Sequence, residues 1–189
     1  MITIETILQE LAKDRPFFHS EADFQFALAW KIQKEFPDAE IRLESPASLL
    51  DKSSAEIDII VKQGDTLFPI ELKYKLKSQG QITNSRPAML EDIERLEKLQ
   101  SSDLKDSNLT NTPIRECFVI WLTDNMSFFE NVSEVNNCDI KSDAVVHGQY
   151  SYHAGVQKGV VIADIQGEYR IEWKEYFDKL RYSITCIPK

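Results

Sequence analysis

The sequence predicts an α/β protein, a mixed sheet with helices on its faces. Apolar residues recur at helical spacing in three segments, 4–13, 20–36 and 85–100. Two strand-like runs flank Gly64-Asp65, and Cys117–Leu122 is a continuous apolar run, as in strands buried on both faces. Helices before, between and after strands imply a sheet covered on both sides. With 189 residues, 42% hydrophobic and 28% charged, one domain over 1–189 is expected, large enough for a core without disulfide staples.

Ile4, Ile7, Leu8 and Leu11 form the stripe of the first helix, which Asp14-Arg15-Pro16 breaks. Ser20 is the N-cap of the second, with Asp23 as its capping-box partner; Phe24, Ala27, Leu28, Lys31 and Ile32 follow at i, i+3, i+4 spacing, and Pro37 closes it. Residues 39–44 alternate as a half-buried strand. Residues 56–75 form a hairpin, in which Gly64 takes the first position of a type II′ turn. Ser85 and Pro87 open a helix to about residue 100, with Met89, Ile93, Leu96 and Leu99 inward. A polar surface loop, 101–112, leads to the buried strand. Beyond it we expect a short helix over 127–135, a hairpin pairing 160–165 with 168–173 about Gln166-Gly167, a helical stretch over 173–180 and a strand at 182–187. Residues 136–157 give no clear pattern.

Charge and cysteine content narrow the function classes. A net charge of −9 opposes broad, non-specific nucleic-acid binding, which needs Lys and Arg against phosphate. No apolar run approaches the roughly 20 residues of a membrane span, and no signal peptide is evident. Three widely spaced cysteines suit a reducing compartment, so the cytoplasm is the expected location, with no membrane partner. Cys138, His147 and His153 fit no common zinc spacing.

The informative chemistry lies on the first hairpin. A two-residue turn at Gly64-Asp65 sets Asp58 opposite Glu71, with Cβ atoms about 4.5–5.5 Å apart, where like charges repel unless a cation or proton lies between them. Glu71, Lys73, Lys75 and Lys77 share one face of the second arm, while Phe68, Ile70, Leu72 and Tyr74 take the other. Paired carboxylates suit Mg²⁺ or Mn²⁺, and an adjacent Lys suits a phosphoryl substrate. A plain ion-pair ladder, Lys73 opposite Glu56, is the competing reading; it leaves Asp58 and Glu71 in repulsion.

Ile57-Asp58 followed by Glu71-Leu72-Lys73, with Glu21 on the preceding helix, resembles the PD-(D/E)XK nuclease superfamily. The resemblance covers residues 18–122 in the order helix, strand, hairpin, helix, strand. It implies a restriction-endonuclease-like α-β-β-β-α-β core, with 123–189 as additional strands and helices. It further implies a metal-dependent phosphodiester hydrolase acting on DNA and leaving a 5′-phosphate. Asp58, Glu71 and the Leu72 backbone carbonyl would hold Mg²⁺ or Mn²⁺, Glu21 would assist, Lys73 would position the water, and Lys75 and Lys77 would touch the substrate backbone. Ile57 replaces the family's Pro, and the Gln-x-x-x-Tyr of the RecB-like branch is absent.

The alternative is a catalytically inactive nuclease-fold module that binds or regulates a protein or nucleic-acid partner. Cleavage of RNA or of a small nucleotide is a third reading, and a homodimer or a protein partner would help an acidic chain hold DNA. Asp92 and Arg95, an i, i+3 pair, read as structural, and Trp30, Trp121 and Trp173 as core aromatics.

Overall fold

A computed structural model describes residues 3–49, 52–79, 82–130, 138–152 and 157–189. Helices α1 (Ile4–Asp14) and α2 (Glu21–Glu35) lead into strands β1 (Glu40–Leu49), β2 (Lys52–Gln63) and β3 (Thr66–Lys75). After a 3-10 turn at Lys77–Gln79 come α3 (Ile82–Lys98), β4 (Glu116–Thr123) and the short α4 (Ser127–Glu130). Strands β5 (Val145–Ser151), β6 (Val161–Arg170), β7 (Trp173–Phe177) and β8 (Leu180–Pro188) complete the chain. The main sheet runs β1-β2-β3-β4-β8-β7; β3 and β4 are parallel, the other neighbours antiparallel, and β5 pairs with β6 separately.

Each face of the sheet has its own apolar layer. Leu8, Phe24, Leu28 and Ile32 of α1 and α2 pack with Ile70, Leu72, Tyr74 and Ile120. Met89, Leu90, Ile93 and Leu96 of α3 pack with Ile60, Leu67, Val119 and Trp121, and β5–β6 closes that side through Val146 and Ile165. The run from Cys117 to Leu122 is buried throughout, as its unbroken apolarity requires. Among the described residues, no helix is long and apolar enough to cross a membrane. Cys117 and Cys138 are buried, Cys186 is exposed, and none of the three is in a disulfide.

Local signals hold well in the first half. The Ser20 hydroxyl caps α2 by accepting from the Asp23 amide at 3.1 Å. Asp23 reaches back one residue further than a capping box would, to the His19 amide, and also pairs with Arg15. Gly64 sits at φ 59°, and the ladder runs from Gln63↔Thr66 to Ile59↔Ile70 in the expected register.

Three expectations are corrected, and a fourth is met as far as the described residues reach. Helix α3 begins at Ile82, so Ser85 and Pro87 lie inside it rather than at its start; Pro87 leaves the Thr83 carbonyl without its usual intrahelical donor. Gln166-Gly167 is no turn. Both amides lie mid-strand in β6 and donate to the Glu97 carboxylate of α3 at 3.0 and 2.6 Å. Gly167 leaves room for the Tyr169 ring, since a Cβ there would clash with its hydroxyl and ring edge and the tyrosine would have to shift. The 173–180 stretch is β7 and the turn into β8, with Asp178 at φ 50°; Tyr176 packs across it against Tyr182. Of the 127–135 helix, residues 127–130 are helical, and 131–135 lie outside the described residues.

Loop 101–112 is fastened by buried Leu104 and Leu109 and by a bridge from Leu104 to Ala47. Trp121 is a core residue and Trp173 is half-buried, but Trp30 stands on the outer face of α2, 58% exposed and stacked on Phe26.

Candidate functional site

The site forms where the sheet forks. The β2–β3 ladder reaches Ile59↔Ile70 and stops, so Asp58 and Glu71 are not a ladder pair. On the other side of β2 the partners pass from Leu43↔Ile59 to Ser45↔Ile57, skipping Glu44 and Asp58. Glu44 takes φ 49°, a conformation a non-glycine residue adopts at a cost. Backbone groups freed by the fork must find other partners, since they are buried. The Leu72 amide donates to Asp58 Oδ2 at 2.6 Å, and the Tyr74 amide donates to Glu21 Oε2 at 2.8 Å. Lys73 Nζ donates to the Leu72 carbonyl at 2.9 Å. Gln25 Nε2 donates to the Asp58 carbonyl at 2.7 Å and to Glu44 Oε1 at 2.5 Å. Helix α2, positioned by its Ser20 cap, thus supplies both Glu21 and Gln25 to the gap.

Helix α3 closes the site from the opposite face. Glu71 is 1% exposed, and its Oε2 lies 2.6 Å from Arg95 Nη2. The same nitrogen lies 2.6 Å from Asp92 Oδ1, while Asp92 Oδ2 lies 3.5 Å from Lys73 Nζ. Asp92 and Arg95 are an i, i+3 pair, but both also reach across to β3. Their signal in the sequence was their place on the helix that follows the Glu-x-Lys strand. Gln25 gave a weaker one, one turn beyond Glu21.

The electrostatics are those of a cluster short of positive charge. Four carboxylates (Glu21, Asp58, Glu71 and Asp92) face two cations, Lys73 and Arg95. Burial, and then the Asp92 charge, pushes Glu71 well above the ordinary carboxylate range, despite Arg95. Burial likewise raises Asp92 to about 6. For Lys73, burial opposes the ammonium, but Asp92, Glu21, Asp58 and Glu71 outweigh it and raise its pKa, so it stays charged. Glu71 Oε1 is buried with no hydrogen-bond partner.

The Asp92 shift has a sign that can be measured. Its folded pKa lies above the unfolded value of about 3.9, so the native state binds more protons between the two. Its contribution to stability is therefore fullest below about pH 4 and is lost as pH rises through 6. The wild type should lose up to about 3 kcal/mol relative to Asp92→Asn between pH 4 and 7 in urea unfolding. A difference that stays flat with pH would contradict the assignment.

Glu21, Asp58, Glu71, Lys73 and the Leu72 carbonyl are thus brought together, as the sequence suggested. Two features differ from it. Lys73 lies against α3 and not opposite Glu56, which is exposed and paired with Pro46. The lysine row also breaks: Lys75 is half-buried at the end of β3, and Lys77 is exposed in the 3-10 turn, where its amide donates to Asp124. His147 is exposed, with Nδ1 on the Gly167 carbonyl, Cys138 is buried, and His153 lies outside the described residues.

Among the described residues, no three His, Cys, Asp or Glu side chains are arranged to hold a metal ion. The donors at the fork nevertheless fit Mg²⁺ chemically: they are hard oxygens, two formal negative charges are in excess, and two buried carboxylate oxygens, Glu71 Oε1 and Asp92 Oδ2, have no hydrogen-bond partner. No protein-family profile, curated protein or solved structure matches the chain.

Proposed function

We propose that this protein is a Mg²⁺- or Mn²⁺-dependent phosphodiesterase of the PD-(D/E)XK type, with DNA as its substrate. The observation that carries the reading is the buried, unpartnered Glu71 Oε1 at a sheet fork where four acids face two cations. The order α2-β1-β2-β3-α3-β4 supports a restriction-endonuclease-like core, with β1–β3 antiparallel and β4 parallel to β3.

In this reading Asp58, Glu71 and the Leu72 carbonyl would hold the ion, and Glu21 would assist them. When bound, the ion polarises a phosphoryl oxygen and lowers the pKa of water. The chain's own part is positional. Asp58 and Glu21 fix the path of β3 through its amides, so Lys73 is presented from a rigid strand. Its ammonium, held charged by the surrounding carboxylates, orients the attacking water and stabilises charge developing on phosphoryl oxygens. Lys75 and Lys77 contribute weak contacts to the substrate backbone. A net charge of −9 opposes broad electrostatic attraction to phosphate, so substrate binding depends on the ion, a second subunit or a protein partner.

Purified protein should nick supercoiled plasmid in Mg²⁺ or Mn²⁺ and stop on addition of EDTA. Absence of hydrolysis on both DNA and RNA would remove the enzymatic reading. One observation favours the alternative of an inactive binding module: Arg95 already sits on Glu71, and Lys73 on the Leu72 carbonyl. Such a module would bind a nucleic-acid or protein partner equally in EDTA and in Mg²⁺.

A further inference from the structure

Arg95 is placed unusually for a structural ion pair. One nitrogen, Nη2, lies 2.6 Å from both Glu71 Oε2 and Asp92 Oδ1, whereas its Nε is buried without a partner. Arg–carboxylate pairs are frequently bidentate, with two parallel N–H groups on one carboxylate. Here it bridges two carboxylates through a single point, as a compact cation does. Glu71 keeps its other oxygen buried and unpartnered beside it. Lys73 behaves similarly, with its ammonium on the Leu72 carbonyl and 3.5 Å from Asp92.

The geometry points to Arg95 as a resident counter-cation that competes with a divalent metal for Glu71. This inference rests on the proposed metal site. Arg95 enters from α3 with its side chain 26% exposed, whereas Glu71 is fixed in mid-strand at 1%. Of the two, Arg95 is therefore the partner free to leave. An arriving ion takes over Glu71, and the guanidinium turns outward, keeping Asp92 on its own helix as a neighbour. The ion requirement of the site is set by this exchange: metal must displace an existing salt bridge as well as bind.

An opposite charge at this distance changes a carboxylate's affinity for a proton by roughly tenfold to a thousandfold, and its effect on a competing metal ion has the same origin. Mn²⁺ binding by calorimetry to Arg95→Gln should therefore be at least about tenfold tighter than to wild type. Arg95→Lys, which keeps the charge, should stay within a few-fold of wild type. Equal or weaker binding to Arg95→Gln, with wild type binding normally, overturns the competition and leaves the metal site standing. No binding to either protein overturns both.

A second measurement needs no folded variant beyond wild type. The Arg95 Nε–H resonance should move toward that of a free arginine as Mg²⁺ is added. A resonance that stays in place while Mg²⁺ binds overturns the exchange.

Discussion

Replacing Lys73 by alanine is expected to lower Mg²⁺-dependent nicking by about a hundredfold to a thousandfold, the usual cost of removing one donor aimed at developing charge. Lys73 is the only side chain of the Glu-x-Lys strand that carries a positive charge into the fork, where it lies against the Leu72 carbonyl and Asp92. The companion change at Asp58 separates chemistry from architecture. Asp58 accepts the Leu72 amide, so Asp58→Ala both removes a charge and strands a backbone donor. Asp58→Asn keeps an acceptor for that amide and loses only the charge. The expected result is a folded Asp58→Asn protein with activity reduced as far as in Lys73→Ala. If Asp58→Asn nicked like wild type, the carboxylate would be a backbone plug and nothing more. Assays should be run well below each variant's melting temperature, since Lys73→Ala leaves Asp92 with one cation fewer.

Trp121→Ala should give the largest loss of stability. Trp121 is fully buried in β4 and packs on Phe128, with ring centroids 5.5 Å apart. Truncating a buried aromatic costs about 3–5 kcal/mol, because the lost burial is joined by a cavity that neighbours only partly fill. For a chain of this size that corresponds to a fall in melting temperature of about 10 °C. The effect should reach the site as well, since Trp121 stands directly beside Lys73 in the parallel β3–β4 ladder. Trp121→Phe should cost much less. It keeps an aromatic against Phe128 and removes the indole N–H, which is buried without a partner. A melting temperature for Trp121→Ala within 2–3 °C of wild type would show that the residue is not held as described.

The first two thirds of the chain were legible because local chemistry and global topology agree there. Ser20 caps its helix, Gly64 turns its hairpin, and Cys117–Leu122 is buried. The last third misled for physical reasons. Gln166-Gly167 carries turn residues, yet its glycine is there to let Tyr169 cross and its amides serve Glu97, a contact some seventy residues distant. The aromatic-rich 173–180 stretch suggests a helix by its sequence, although pairing with β8 makes Trp173–Phe177 a strand. At the site, Asp58, Glu71 and Lys73 could be found from the spacing on the hairpin, and Glu21 only through the family resemblance. The fork could not, because it arises where two ladders lapse, and a hairpin register counted from its turn assumes that pairing continues. For the same reason Asp92 and Arg95 looked like a helix-surface pair: nothing in the i, i+3 spacing says that α3 lies over Glu71.

The claim that the fork is a divalent-metal site is tested most directly by crystals soaked in Mn²⁺ and measured for anomalous scattering. The account predicts an anomalous peak bonded to oxygens of Asp58 and Glu71, with the Arg95 guanidinium moved off Glu71. Well-ordered crystals with no peak there, and Arg95 still bridging Glu71 and Asp92, would contradict it.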